Sequence, residues 1–334
     1  MKPKRKVEQF PKISFVVCTL NCKDYAERCF KSIRKQNYPK NRIEVIVVDS
    51  YSTDGTIELA RSLGAKVILT KIRGYMEGKG MPKSIGCQKA TGDFIVTIDS
   101  DNALVEKDWI KKMIYPLMND PEVSFSICRM AVVRTDPLSN QYLSYVGTDP
   151  FAIYGSLDPQ ITLGKIKLKD RGRYWTYKLT KDNFYVVGGY YVAFKKETLK
   201  KIGGYMRDVD NAYTLAKMGL GTLAIPKNCH LHHLITDNGW KFIKKKIKWG
   251  NYYFKAGKEE RVFKWYAGWT GRFGKINFAY QVIKDLLIVP EFITSVRMLI
   301  KYRNKAWLLH SPMVFGATVA YIIAFFKSKL NTKG

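Results

Sequence analysis

Apolar and polar stretches alternate regularly over the first third of the chain. Four apolar runs rich in β-branched residues predict strands buried on both faces, at residues 13–20, 43–48, 66–70 and 94–98. Between them, apolar residues spaced three and four positions apart predict helices at 24–33, 57–63 and 84–90. Strands and helices that alternate at such short spacing form βαβ units, so the pattern predicts an α/β fold with a mainly parallel sheet.

Polar clusters follow three of the predicted strands. They span residues 19–21, 49–54 and 99–102. Ligands of parallel sheets bind beyond the carboxyl ends of the strands. Because neighbouring parallel strands end at the same edge of a sheet, the three clusters are expected to face one crevice.

The third cluster begins with Asp99-Ser100-Asp101, which places two carboxylates one residue apart directly after a buried strand. Two such negative charges repel each other and require a cation or a dense hydrogen-bond network. Carboxylate oxygens are hard ligands that suit Mg²⁺ or Mn²⁺. A turn whose aspartates only cap the following backbone is the alternative, but the position at a strand end favours a metal site.

The rest of the chain divides into two parts of different composition. Short predicted strands at 123–134 and 184–194 and a helix at 212–219 continue the mixed pattern to about residue 240. Beyond it, lysine and arginine interleave with aromatic residues, and an apolar stretch follows at 307–326. The expected organisation is a basic tail (1–10), an α/β domain (11–240, with halves 11–122 and 123–240) and a basic, partly hydrophobic helical region (241–334).

Four segments of the chain resemble, in order and spacing, the family 2 glycosyltransferases, which are inverting enzymes with a GT-A nucleotide-binding fold. The matching residues are 16–21 (VVCTLN), 47–56 (VVDSYSTDGT), 90–93 (ATGD) and 98–101 (IDSD), and the resemblance extends over about residues 10–240. One departure is Ser50, where the family commonly has a second aspartate. The resemblance implies an enzyme that moves a sugar from a nucleotide-diphosphate sugar to an acceptor.

The resemblance also implies roles for residues of the first half. Thr19 and Asn21 would contact the nucleoside, and Asp49 would accept a hydrogen bond from the base. Asp99 would bind the ribose side, and Asp101 would bind the divalent metal, Mn²⁺ or Mg²⁺, with Asp99 as a further metal residue. Three cationic residues of a glycine-rich loop would face the diphosphate, where positive charge stabilises phosphate: Arg73, Lys79 and Lys83.

On the acceptor side, the family places a catalytic carboxylate shortly after a Gly-Gly-aromatic run, at the start of a helix. Asp208 fits that place best and Asp210 is the second choice, since transfer to a hydroxyl requires a general base. Capping of the helix is the alternative for both. The family often supplies a histidine as a further metal ligand, and His232 lies at the expected distance along the chain, with His230 and His233 beside it.

The chain is strongly basic, since 57 lysine and arginine residues against 28 acidic ones give a formal charge of +29. Such an excess points to a polyanionic partner. Residues 281–300 suit an interfacial amphipathic helix. The stretch 307–326 is long enough to span a bilayer, to lie in its interface or to pack as a soluble helix. We therefore expect an anionic membrane surface as a partner, at the cytosolic face where nucleotide sugars are found, and a lipid-linked glycan or polyprenyl phosphate as acceptor.

Three alternatives fit the sequence less well. A nucleotidyltransferase would need a glycine-rich loop after the first strand, which residues 18–22 (CTLNC) do not provide. A nucleic-acid-binding protein would use the basic C-terminal third, yet that third has no helix-turn-helix, zinc-finger or RNP pattern, so no nucleic acid is expected as a partner. An inactive glycosyltransferase-like protein is disfavoured by the intact acidic motif. The six cysteines form no C-x-x-C pair and are expected to be reduced, mostly buried thiols.

Overall fold

The structure is a computed structural model of the 334-residue chain, and it describes residues 10–72, 81–188, 191–256, 262 and 275–330. The strands within these ranges are β1 (Ile13–Thr19), β2 (Ile43–Asp49), β3 (Lys66–Leu69), β4 (Phe94–Asp99), β5 (Asn102–Leu104), β6 (Phe125–Ile127), β7 (Arg129–Met130), β8 (Lys169–Asp170), β9 (Tyr174–Lys178), β10 (Tyr191–Lys195), β11 (Thr222–Pro226) and β12 (His230–His233).

The helices of the same ranges are α1 (Lys23–Arg34), α2 (Thr56–Ser62), α3 (Pro82–Lys89), α4 (Trp109–Asn119), α5 (Leu138–Val146), α6 (Leu157–Thr162), α7 (Lys196–Lys201), α8 (Asp208–Lys217), α9 (Gly239–Ala256), α10 (Lys275–Leu286), α11 (Val289–Tyr302) and α12 (His310–Leu330). Short 3-10 helices lie at Lys40–Arg42, Phe151–Tyr154 and Lys305–Leu309.

Two sheets organise the described part of the chain. The larger has nine strands in the order β3-β2-β1-β4-β10-β6-β11-β9-β8, and β5, β12 and β7 form the smaller one. Strands β3, β2, β1 and β4 run parallel, whereas β10 is antiparallel to both β4 and β6. The predicted α/β fold is confirmed, and the parallel arrangement belongs mainly to the first half of the chain.

Strand β1 lies at the centre of that first half. Its residues (ISFVVCT) are nearly all buried, because helices cover both faces of the sheet. Helix α1 buries the apolar residues that recur at three and four positions, in the same core. The parallel register places Thr19 opposite Asp49 and Cys18 opposite Asp99. The carboxyl ends of β2, β1 and β4 therefore meet at one level, as the sequence predicted.

The predicted elements of the second half differ more from the structure. Residues 123–134 form two short strands that join different sheets, because β6 pairs with β10 and β11 while β7 pairs with β12. The strand expected at 184–194 begins at Tyr191 within the described residues. Helix α8 begins at Asp208, earlier than the predicted start at residue 212, because its polar first turn carries no apolar periodicity.

The C-terminal helices build a second core together with part of the α/β domain. Apolar residues of 142–163 pack in one cluster with residues of α9, α11 and α12. Trp307 is fully buried there, with its ring edge-on to Tyr142. Among the described residues, one helical segment, Lys305–Ser328, is long and apolar enough to cross a membrane, and half of its apolar window is buried inside the protein. The division predicted at residue 240 stays a prediction.

Helix α3 approaches the sheet closely at Gly86. A Cβ atom at this position would lie 2.4 Å from Val16 Cγ1 and 3.1 Å from Val48 Cγ2. Both valines are fully buried in central strands, and their branched side chains have little freedom to move. The core therefore leaves no space for a side chain at position 86, and only glycine fits there without displacing a neighbour.

We predict that Gly86→Ala lowers the free energy of unfolding by about 2 kcal/mol, because overpacking outweighs the gain in helix propensity. Gly316→Ala in α12 is the matched control, since the nearest side-chain atoms, those of Ile243, lie 3.4–3.5 Å from its Cβ position. The control should be neutral or slightly stabilising. Urea denaturation followed by circular dichroism measures both, and equal midpoints for the two variants would contradict the packing argument.

Candidate active site

Asp49, the predicted base contact, is enclosed by hydrogen bonds at the end of β2. Its side chain is fully buried. Its Oδ2 accepts bonds from Thr19 Oγ1 at 2.6 Å and Ser52 Oγ at 2.7 Å, and its Oδ1 accepts one from Ser52 N at 2.6 Å. A carboxylate has about four acceptor positions, so these bonds use most of its capacity. Asp49 shapes the turn after β2, and its contact with a nucleobase stays a prediction.

Asn21 ties the loop after β1 to the loop after β2. Its backbone lies in the left-handed region with φ 46°, a conformation that asparagine tolerates better than most residues. Its Oδ1 accepts a bond from Thr53 N at 2.8 Å, and its backbone N donates to Ser52 Oγ at 2.8 Å. The predicted nucleoside residues Thr19 and Asn21 therefore lie together with Asp49 at one edge of the sheet, and their contact with a nucleoside stays a prediction.

The Asp99-Ser100-Asp101 segment forms a tight turn between β4 and β5. Asn102 Nδ2 donates to Asp101 Oδ1 and to the backbone oxygen of Asp99, each at 3.2 Å. Arg28 of α1 donates from Nη2 to the backbone oxygen of Asp101 at 2.6 Å. The side chains of Asp99 and Asp101 remain 32% and 37% exposed. Both carboxylates are therefore held in place and still accessible to a ligand.

His233 is the histidine that contacts this turn, with Nε2 at 3.2 Å from Asp101 Oδ2. His232, the predicted metal ligand, donates from Nε2 to Asp136 Oδ2 at 2.8 Å and accepts at Nδ1 from Arg28 Nη1 at 3.1 Å. The two histidines have different contacts because neighbouring side chains of a strand point to opposite faces of the sheet. The geometry therefore brings His233, and not His232, to Asp101, while a metal-binding role for either histidine stays a prediction.

Lys83 is buried between two carboxylates. Its Nζ lies 2.8 Å from Asp99 Oδ1 and 3.3 Å from Asp208 Oδ1, and its side chain is only 3% exposed. Burial alone would lower the pKa of Lys83, but the charges of Asp208 and Asp99 raise that pKa well above its usual value. The side chain is therefore an ammonium, and its predicted contact with a diphosphate stays a prediction. The companion residues Arg73 and Lys79 lie outside the described residues.

Asp208 is the first residue of α8 and belongs to the same cluster. Tyr205 donates its hydroxyl hydrogen to Asp208 Oδ1 at 2.5 Å. The other oxygen, Oδ2, is buried and has no hydrogen-bond partner among the described residues. The N-cap of α8 is Arg207, so the carboxylate of Asp208 does not cap the helix. Asp210, the second candidate base, is also buried.

The two carboxylates of the acidic turn differ in their electrostatic surroundings. Burial raises the pKa of Asp99, the charge of Asp101 adds to that rise, and Lys83 opposes it. Burial acts in the same direction on Asp101, but the charge and hydrogen bond of His233 outweigh it and lower the pKa of Asp101. Burial raises the pKa of the Cys18 thiol, next to Asp99, to about 12. All six cysteines are free thiols, as predicted.

The donor atoms at the turn fit a hard divalent cation that shares its coordination with a substrate. The Asp101 carboxylate lies beside the His233 ring, Asp99 is two residues away in the same turn, and Asn102 Oδ1 is buried with no hydrogen-bond partner in the described chain. Within the described residues, no three His, Cys, Asp or Glu side chains form a complete metal site by themselves. Mg²⁺ commonly takes one or two protein carboxylates and completes its shell with phosphate oxygens and water. The residues therefore fit a metal that binds together with a diphosphate.

Sequence reasoning missed two residues that organise this region. Arg28 joins the acidic turn to His232, and Asp136 holds the other side of that histidine. Both lie far along the chain from the residues they contact, so no local pattern marks them. Tyr205 could have been predicted, because it is the aromatic residue of the Gly-Gly-aromatic run that precedes Asp208.

Comparison with known proteins extends these observations. Residues 14–202 match the family described as Glycosyl transferase family 2. The poly(ribitol-phosphate) beta-N-acetylglucosaminyltransferase TarS of Staphylococcus aureus is 32% identical over 102 residues, which cover 30% of this chain and 18% of that protein. A dolichyl N-acetyl-alpha-D-glucosaminyl phosphate 3-beta-D-2,3-diacetamido-2,3-dideoxy-beta-D-glucuronosyltransferase of Methanococcus voltae is 30% identical over 105 residues, or 30% of this chain and 32% of that protein. The matched part is thus a third or less of either relative.

Among solved structures, the mannosyltransferase PcManGT from Pyrobaculum calidifontis, in complex with GDP-Man and Mn²⁺, superposes with a TM-score of 0.55 at 18% identity. The match covers 94% of this chain and 88% of that one. At this identity the likeness concerns the fold, a large central sheet with flanking helices. Because the family match covers more than half of the sequence, the chain belongs to the family 2 glycosyltransferases and has their GT-A fold.

Proposed function

We propose that this protein is a metal-dependent, inverting glycosyltransferase that moves a sugar from a nucleotide-diphosphate sugar to an acceptor hydroxyl. The observation that carries the proposal is the single ammonium of Lys83, which contacts both Asp99 and Asp208. It joins the candidate metal-binding turn and the candidate base in one cluster at the carboxyl edge of the sheet. A one-step displacement needs this proximity, since donor and base act on the same reacting centre.

On the donor side, Asp99, Asp101 and His233 would hold the divalent metal. When bound, Mn²⁺ or Mg²⁺ supplies Lewis-acid stabilisation of the diphosphate leaving group. The nucleoside would face the loops after β1 and β2, so that residues 11–122 form the donor half. The presence of GDP-Man and Mn²⁺ in PcManGT, which shares the fold, supports a nucleotide sugar and a metal for this chain.

On the acceptor side, Asp208 is the proposed general base. Tyr205 donates a hydrogen bond to one carboxylate oxygen, and the Lys83 ammonium lies 3.3 Å from the same oxygen. The acceptor oxygen attacks the anomeric carbon while the bond from that carbon to the diphosphate oxygen breaks. The hydroxyl proton passes to Asp208 Oδ2, and the single displacement inverts the configuration at the carbon.

The unpartnered Oδ2 of Asp208 favours a hydroxyl over a polyprenyl phosphate as acceptor, because a phosphate oxygen is already nucleophilic and needs no base. The names of TarS and of the Methanococcus voltae relative include a poly(ribitol-phosphate) and a dolichyl phosphate sugar. The dolichyl group in the second name supports a lipid-linked glycan as the acceptor, and we propose the cytosolic face of a membrane as the place of the reaction. Residues 123–240 would then form the acceptor half, and 241–334 would be the membrane-associating region.

Helix α9 extends positive charge toward the acidic turn. Burial raises the pKa of Asp101, and the charge of Lys245 helps His233 to lower it. The lysines at 241, 244 and 248 are exposed on the same helix. A helix with exposed ammonium groups, one of which acts on Asp101, is suited to phosphate-bearing substrates, which supports both the diphosphate donor and a phosphorylated lipid acceptor.

For Lys83, we predict that Lys83→Met lowers the free energy of unfolding by about 3 kcal/mol in metal-free buffer, because two carboxylates lose their shared cation. Without the ammonium, burial and Asp101 raise the pKa of Asp99 further. A carboxyl group whose pKa is higher in the folded than in the unfolded state contributes less to stability as the pH rises. The loss of unfolding free energy in Lys83→Met should therefore be larger at pH 8 than at pH 5.

The control is Lys112→Met, which breaks a pair with Asp108 at 2.9 Å near the surface and should lower the free energy of unfolding by less than about 1 kcal/mol. A pH-independent deficit measured by urea denaturation would refute the electrostatic explanation.

For the base, Asp208→Asn should reduce transfer to a sugar hydroxyl by roughly 10²–10⁴-fold, since the proton acceptor is lost while the size of the side chain is kept. Binding of the nucleotide sugar should change little. Asp210→Asn, at the other buried carboxylate of α8, is the matched variant and should retain most activity. Steady-state transfer assays with calorimetric donor binding distinguish the two, and full activity of Asp208→Asn would exclude it as the base.

For the metal, Asp101→Asn and His233→Ala should weaken Mn²⁺-dependent binding of GDP or UDP by at least about tenfold. His232→Ala serves as the neighbouring control, because its ring contacts Asp136 and Arg28 and not the acidic turn. Isothermal titration with and without Mn²⁺ measures the effect. The metal assignment fails if removal of Asp101 leaves the Mn²⁺ dependence intact, or if nucleotide binding never depends on metal.

A further inference from the structure

Helices α10 and α11 carry an apolar surface that faces outward. On α11 the exposed apolar residues recur at three and four positions and form one face: Val289, Phe292, Ile293, Val296 and Ile300. The α10 segment adds Tyr280 and Ile283 on the helix and Leu287 directly after it, all exposed. Ile293 and Ile300 are 63% and 71% exposed. We refer to these eight residues as the apolar face.

The carboxylates of the two helices point inward instead. Asp285 and Glu291 are fully buried. Glu291 pairs with Lys284 at 2.7 Å and with His310 at 2.8 Å, and Asp285 accepts a hydrogen bond from Thr318 at 3.1 Å. An amphipathic helix on a water-exposed surface has the opposite arrangement. Apolar area of this extent is unfavourable in water and marks an interaction surface.

The charge at the edge of the apolar face indicates what covers it. Arg297 and Lys301 are exposed on α11, within one turn of Ile293 and Ile300. The described residues of α10 and α11 expose no carboxylate, because Asp285 and Glu291 are buried and no other acidic residue occurs there. An apolar surface bordered only by cations is complementary to a bilayer with anionic headgroups.

Helix α12 is long and apolar enough to cross a bilayer, but its surroundings favour a place inside the protein. Helix α9 lies along it, since a Cβ at Gly239 would lie 3.1 Å from Met313 Sδ and one at Gly250 would lie 2.6 Å from Ala324 Cβ. Helix α9 exposes charged residues along its outer side: Lys241, Lys244, Lys245 and Lys248. If α12 crossed the bilayer with α9 at its side, these charges would enter the hydrocarbon region, which is costly.

We propose that the apolar face docks the protein in the plane of one leaflet of an anionic phospholipid bilayer, while α12 stays packed within the protein. Acyl chains contact the apolar face, and headgroup phosphates contact Arg297 and Lys301. The proposal deepens the proposed function, on which it rests for the lipid-linked acceptor, by naming the surface that brings enzyme and acceptor together.

Vesicle flotation of the full-length protein tests the proposal. The wild type should float with vesicles of phosphatidylcholine and phosphatidylglycerol, and less with phosphatidylcholine alone. The double variant Phe292→Asp, Ile293→Asp should partition at least about tenfold more weakly, because two inserted apolar side chains are replaced by charges. Met118→Asp on α4 is the matched control, since Met118 is 51% exposed on the α/β domain, and it should float like the wild type.

A milder variant, Phe292→Ala with Ile293→Ala, removes apolar area without adding charge and should give an intermediate loss. Equal flotation of the wild type and the aspartate variant, or failure of the wild type to float, would overturn the proposal. So would a wild-type dimer in light scattering that the aspartate variant dissociates, because a second copy would then cover the face. Resistance of the wild type to alkaline carbonate extraction from native membranes would indicate a spanning helix instead.

Binding of GDP or UDP with Mn²⁺, measured without vesicles on the same proteins, reports on the catalytic site alone. Intact nucleotide binding in the aspartate variant shows that the fold is preserved. A loss of flotation with intact nucleotide binding concerns only docking, whereas flotation without nucleotide binding would leave the docking proposal standing and contradict the proposed function.

Discussion

Mutual repulsion among Asp99, Asp101 and Asp208 is the constraint on which the candidate active site of this protein depends. The three carboxylates gather at one sheet edge because the parallel strands end level and α8 begins beside them. Two side chains balance them: Lys83 lies between the first and the last, and His233 lies against the second. Both side chains belong to the protein scaffold, so the cluster is largely formed without a ligand.

The division of the donor half into strands and helices follows from its sequence, because strands buried on both faces leave long apolar runs that no polar residue interrupts. The convergence of the three polar clusters can also be predicted from the sequence, since it requires only that the sheet be parallel. The sequence does not predict which side chains contact each other there. Whether residue 232 or 233 meets Asp101 depends on the register of β12 against β5, and no local pattern in the chain fixes that register.

The burial of Lys83 is a second feature that the sequence does not reveal. In a glycine-rich segment, a lysine is most simply interpreted as an exposed cation facing phosphate. Its actual surroundings come from α3 lying flat on the sheet and from α8, which follows more than a hundred residues later in the chain. The charged residues near 281–300 show the same limit. The spacing of these residues is the same whether they face water or the protein. In the structure, the carboxylates of the segment face the protein.

The close packing of Gly86 has a consequence for chemistry as well as for stability. Gly86 and Lys83 are one helical turn apart on α3, so the distance between this helix and β1 also sets how far the ammonium reaches toward Asp99 and Asp208. An added methyl group would lift the helix from the sheet and carry the charge with it. The electrostatics of the candidate active site therefore depend on Gly86, whose missing side chain lets α3 pack closely on the sheet. Under the proposed function, selection on the reaction would act on a residue that touches no reactant.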